Sequence, residues 1–210
     1  MAQTNELLEK AKLEIMQAQT RRFKEFYGEY FNREDSADLV NFFMEKIYNL
    51  DSQGDIIQTA INTFGKIKNK LPVEIKKSIQ DVIDLNDVTH QMDEGMAEVL
   101  IARGWKGEQI ATSELTEVYK QYNHRDMRIK QLEVMIDTLE FSHQLAHSAL
   151  GKVLLGPARL AARLFRVMVL FEFLEEGYLA TRKVTVDDFN EFLHKVEEKE
   201  WEYLYVNLGK

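Results

Sequence analysis

The chain has 210 residues, 45% of them apolar and 30% charged, with 35 acidic against 27 basic side chains (net charge −8), two prolines and no cysteine. The lack of cysteine excludes a disulfide framework, a thiolate-bound zinc or iron–sulfur centre and a thiol nucleophile. The apolar fraction is too high for a disordered chain, one domain over 1–210 can bury a sizeable core, and the acidic balance argues against a surface that tracks phosphates.

The opening MAQTNELLEKAKLEIM is charged and amphipathic and has no apolar signal core, so no secretory leader is expected. Apolar residues then recur at three- and four-residue spacing almost throughout, which predicts helices. The first helix starts after Thr4 or Asn5 and runs to about Phe31, with Leu8, Ala11, Ile15, Ala18 and Phe26 on one face. Ser36 is placed to cap a second helix carrying Leu39, Val40, Phe43 and Ile47, and Asn49–Gly54 reads as a turn. A third helix holds Ile56, Ile57, Ala60, Ile61, Phe64 and Ile67. Pro72 opens a long fourth helix that ends near Arg103–Gly104, and a segment bounded by Gly104 and Gly107 leads to a fifth, up to Tyr122. Asn123 is the expected cap of a sixth helix reaching about Leu150, and Gly156–Pro157 predicts a break before a seventh over about 157–181. Thr185-Val186-Asp187-Asp188 forms a variant capping box ahead of a last helix with Phe189, Phe192, Leu193, Val196 and Tyr203.

No run of strand period competes, so the predicted class is all-α: a single bundle of about seven to eight helices. The seventh is apolar nearly all round beyond Arg166, which predicts a central position. Leu160–Leu174, the most apolar stretch, is shorter than the roughly 20 residues a bilayer span needs and is interrupted by Arg163 and Arg166. No membrane span is expected, and the cytoplasm is the default location.

Phe42-Phe43-Met44-Glu45-Lys46-Ile47-Tyr48, followed by Asp51 and Asp55, resembles an uncharacterised bacterial all-helical family with an FFL-x-x-LYG-type stretch and then an acidic, Arg-Asp-containing turn. Phe171-x-Phe173-Leu174-Glu175-x-Gly177-Tyr178 and Phe192-Leu193 with Lys199-Glu200 look like that family's C-terminal pattern. The chain departs from the pattern at Gly54, where an arginine would stand. The resemblance implies a helical fold over most of the chain and brings no activity with it.

The chemistry lies where the helical pattern is broken. On the fourth helix Ile75, Ile79, Val82, Met96 and Leu100 define an apolar face, with Asn86, Thr89 and Asp93 in its middle and His90 at its edge. Buried polar groups cost roughly 1–3 kcal/mol each unless satisfied, so something must meet them. On the sixth helix His143 projects from the core face, flanked by Glu140 and His147. Asn86, His90, Asp93, Glu140 and His143 are therefore candidates for a polar pocket, or for an internal network that fixes helix register. A mononuclear metal at His90, Asp93, Glu140 and His143 is the variant that would add a cofactor; otherwise none is expected. Glu140 and His143 have the Glu-x-x-His spacing of a carboxylate-bridged di-metal site, and Glu191 and His194 repeat it, but those two point off the last helix's apolar face.

Glu200 falls on that apolar face and wants a cation; Arg159, Arg163 and Arg166, on one stripe, could supply a salt bridge or hold an anionic ligand. There is no Gly-rich phosphate loop, no G-x-S-x-G elbow and no H-E-x-x-H, and no catalytic residue is assigned. His124, Arg125, Arg128 and Lys130 make a small basic cluster without an aromatic platform, so nucleic acid is not the expected partner. The reading preferred is a non-enzymatic helical-bundle protein acting through protein–protein contact as a homodimer. Its first helix (1–31) would reach from the bundle or mediate oligomerisation, with Phe23, Tyr27, Tyr30 and Phe31 as contact anchors. The alternative is a small-molecule or metal site between the fourth and sixth helices.

Overall fold

The computed structural model describes residues 2–34, 36–42, 54–70, 73–164 and 168–209. Among them run nine α-helices: α1 (Ala2–Tyr27), α2 (Ala37–Phe42), α3 (Gly54–Ile67), α4 (Val73–Ala102), α5 (Thr112–Tyr122), α6 (Arg125–His147), α7 (Ala149–Leu164), α8 (Met168–Lys183) and α9 (Val186–Leu208). A 3₁₀ turn (Lys68–Lys70) follows α3, and no strand occurs among the described residues. The fold is all-α, as the periodicity predicts. Phe43–Ile47, most of the Asn49–Gly54 turn, Pro72, Arg166 and much of the family-like stretch fall outside the described residues.

The chain divides into two compact units, Met1–Gly28 with Asp84–Val134 and Lys195–Lys210, and Glu29–Ile83 with Met135–His194. In the first, α1 packs along α5. Ala11, Ile15 and Ala18 of α1 are buried against Met96 and Leu100 of α4 and Val118 of α5, a set that follows from the three- and four-residue spacing on each helix. The connection from α4 to α5 turns on Gly104 (φ +94°) and Gly107 (φ +115°), backbone conformations that a Cβ would strain. Between them Trp105 tucks inward, its indole N–H donating to the Glu108 carbonyl at 2.6 Å. Asn123, expected to begin the sixth helix, instead ends α5: it sits in the left-handed region (φ 44°, ψ 50°) and its N–H donates to the Tyr119 carbonyl. Asparagine tolerates that conformation better than any other non-glycine residue, which makes it as natural a C-cap as an N-cap.

In the second unit α2, α3 and α7 all pack against α8. The apolar stretch expected as one central helix is thus divided between two elements. α8 is the hub of its unit, with Phe171 and Ala180 buried, whereas Leu160 of α7 is 61% exposed. The expected break at Gly156–Pro157 does not occur, because α7 runs through it. Its start signal is Ser148, whose Oγ accepts the Gly151 N–H at 2.9 Å. The ladder bond forfeited at Pro157 is outweighed by packing on α8. Thr185 does cap α9: its Oγ1 accepts the Asp188 N–H at 3.2 Å and donates to the Asp188 carboxylate at 2.5 Å. Ser36 precedes α2 and its carbonyl accepts the Val40 N–H, but its hydroxyl donates to the Tyr30 carbonyl rather than capping the helix.

α1 ends at Tyr27, short of Phe31. Three of the four aromatics expected as exposed anchors are interior, Phe23, Tyr27 and Tyr30 being 3%, 0% and 2% exposed, and Phe31 is half-buried. One face of the helix, through Ala11, Ile15 and Ala18, lies on the core of its own unit.

Candidate functional site

The polar residues in the middle of α4 find partners inside the first unit. Asp93 is buried, and its carboxylate accepts from the Gln19 amide on α1 at 2.9 Å. Thr89 Oγ1 accepts from the Gln131 amide on α6 at 2.8 Å. Asn86 and His90 are half-buried on the same helix. Asp93 and Thr89 thereby tie α4 to two neighbours, and a buried side-chain pair of this kind makes any other register costly.

In the second unit His143 is buried on α6. Its ring lies 4.0 Å from that of Phe189 at an interplanar angle of 4°, and its Nε2 is 3.3 Å from the Val184 carbonyl. His147, one turn on, reaches the same carbonyl at 3.0 Å. Burial lowers the pKa of His143 below its ordinary value, against the Val184 carbonyl, which raises it, while the neighbouring His147 lowers it further. The neutral imidazole is the form the fold favours there.

Glu140 takes a different environment. It is exposed and lines a cleft of about 390 Å³ between the first half of α4 and α6, together with Lys77, Asp81, Asp137, Thr138, Phe141 and Gln144. The five candidate pocket residues are thus distributed, with Asn86, His90 and Asp93 in the first unit and Glu140 and His143 in the second. Among the described residues no group of three or more His, Asp or Glu side chains is placed to hold a metal ion.

The inward carboxylate of Glu200 does meet a cation, but the cation is Arg22 on α1, at 2.9 Å, and Tyr27 Oη donates to the other oxygen at 2.8 Å. The Arg22 guanidinium lies 5.2 Å from the centre of the Phe26 ring and 4.4 Å from that of Tyr203. Arg159 is engaged elsewhere, donating to both Glu175 oxygens on α8 at 2.6 Å, and Arg163 is exposed. The stripe nominated for Glu200 was reasonable by charge. What decided the pairing was which helix lies against α9, and no periodicity encodes that. A second inward carboxylate, Glu14 on α1, was missed altogether. It is buried, accepts the Ile110 N–H at 2.9 Å and pairs with Arg21 at 2.5 Å, pinning α1 to the segment ahead of α5. Its signal was present, since Glu14 falls between Ala11 and Ala18 on the buried face.

Of the basic cluster at the start of α6, Arg128 is buried, 4.8 Å from the centre of the Tyr119 ring, and Arg125 donates to the Gly209 carbonyl. Burial raises the Tyr119 pKa to about 12, despite the opposing charge of Arg128.

The surface of α7 is unlike the rest. Residues 141–171 contain no Asp or Glu. On α7 the exposed residues among those described include Lys152, Val153, Gly156, Arg159, Leu160 and Arg163, which at about 100° per residue fall on one arc, cationic along one edge and aliphatic along the other. Val153 is 69% exposed, and neither Lys152 nor Arg163 has a side-chain partner among the described residues.

The described helices thus define an all-α protein whose interior polar groups are largely held by its own side chains, with no helix long and apolar enough to cross a membrane among the described residues. The chain belongs to the family described as a domain of unknown function (DUF8198), whose model matches residues 1–206. No curated protein and no solved structure matches it.

Proposed function

We propose that this is a non-enzymatic helical protein that works through protein–protein contact and associates with itself. The observation that supports this reading is the outward face of α7, where two exposed aliphatic side chains stand beside Lys152 and Arg163, which have no side-chain partner among the described residues. Aliphatic area of that kind gains by leaving water only when a partner covers it. Light scattering at micromolar concentrations tests the reading: a mass above the 24.6 kDa of one chain is expected, and a monomer mass throughout refutes self-association.

A second reading, a small-molecule site between helices four and six, is supported by the cleft beside Glu140. It shifts the expected pocket toward the start of α4, to Lys77 and Asp81. A ligand held there raises the melting temperature in a thermal-shift screen, and Glu140→Ala abolishes the shift.

A further inference from the structure

We propose that the outward face of α7 docks onto the C-terminal face of α9 in a second copy of this chain. The inference rests on the self-association proposed above and names its two surfaces. Charge complementarity argues for it first. Residues 141–171 hold Lys152, Arg159, Arg163 and Arg166 and no acidic residue, so 23 of the 27 basic side chains face all 35 acidic ones in the remainder of the chain. A cationic helix on a chain otherwise this acidic has its complement in a second copy of the same molecule.

The end of α9 supplies a matching surface. Glu198, Trp201, Glu202, Tyr205 and Val206 fall on one arc of the helix; Val206 is 75% exposed, Tyr205 36%, and the Trp201 and Tyr205 rings stack at 5.4 Å. This arc joins carboxylates to apolar area, as the α7 arc joins cations to apolar area. Arg163 has no side-chain partner among the described residues, and Glu198 and Glu202 stand one turn apart, about 6 Å, as two carboxylates that can meet it. Among the described residues Glu198 and Glu202 pair with half-buried lysines of their own helix, Lys195 at 3.8 Å and Lys199 at 2.9 Å. Such surface pairs contribute little and exchange readily. An α7–α7 pairing would oppose like charges, which favours the mixed pairing over it.

The test is a charge reversal with its rescue, read by sedimentation and light scattering on the full chain. Arg163→Glu weakens association at least tenfold, and so does Glu198→Lys with Glu202→Lys. Combining all three substitutions restores it to within about threefold of wild type, because opposite charges face each other again. Association also weakens as salt rises, since the pairs sit at a solvated rim. Circular dichroism confirms that each exposed-residue variant folds. A wild-type oligomer unaffected by either reversal overturns the α7–α9 pairing and leaves self-association standing. A wild-type monomer overturns both. Vesicles of phosphatidylcholine with and without phosphatidylserine separate the other occupant: a monomer that binds only the anionic vesicles, and does so through Lys152 and Arg163, assigns the α7 face to lipid and overturns the proposal.

Discussion

Replacing Glu200 with alanine removes the carboxylate that joins α9 to α1. In the native fold the Arg22 and Glu200 side chains are 6% and 13% accessible, and their atoms approach to 2.9 Å. Losing one partner of a buried ion pair costs about 3–5 kcal/mol, because the remaining charge stays in a poorly solvated place. Here that place is between two aromatic rings, Phe26 and Tyr203. Tyr27, fully buried, loses this acceptor as well, a loss of about 1–3 kcal/mol taken alone. The two effects share one carboxylate and do not add in full. The expected loss is about 4 kcal/mol, and at about 2–4 °C per kcal/mol for a chain of this size the melting temperature falls by about 8–16 °C. Thermal and urea denaturation followed by circular dichroism measure it. Arg22→Met combined with Glu200→Leu recovers most of the loss, because an apolar pair of similar volume needs no charge partner. A Glu200→Ala variant within about 1 kcal/mol of wild type refutes the reasoning, as does a double variant no more stable than the single one.

Three further perturbations probe other parts of the chain. Gly151→Ala would gain helix propensity elsewhere, but here its Cβ would lie 2.0 Å from the Leu145 carbonyl oxygen, so a loss of about 1–3 kcal/mol is expected, and an unchanged urea midpoint argues against the tight α6–α7 junction. Thr185→Ala deletes the α9 cap and costs about 1 kcal/mol in the same assay, most of which Thr185→Ser retains. The third concerns His143, whose folded-state pKa is depressed mainly by burial. Its contribution is fully present above the unfolded value of about 6.5 and is lost as pH falls from there toward the folded value, since only the unfolded chain takes up the proton. The wild-type melting temperature should therefore drop on acidification below about pH 6.5, and more steeply than that of His143→Gln; equal slopes would contradict it.

The α4 and α6 segments show how much of the site was legible. That Asp93 and His143 turn inward follows from their place among apolar residues at helical spacing, and both are buried. Their partners were not legible: Gln19 lies 74 positions from Asp93, and the Val184 carbonyl 41 from His143. Glu140, one turn from His143 in sequence, was grouped with it, yet less than a turn of rotation places it on an exposed cleft. Caps were read with mixed success, because Ser, Thr and Asn suit more than one end of a helix. Thr185 was identified, Asn123 was given the wrong helix, and Ser148 was passed over.

The residues alone determined the all-α class, the faces each helix buries and the inward turn of Glu200, since periodicity and desolvation are properties of a short stretch of chain. Only the tertiary structure decided that Arg22 rather than Arg159 meets that carboxylate, that Phe23, Tyr27 and Tyr30 are interior, and that α7 carries its cations and aliphatics outward. Each of these depends on which distant helix arrives alongside, and many apolar faces of similar width could have been matched. The final choice lies in side-chain packing between segments, which a local pattern does not record.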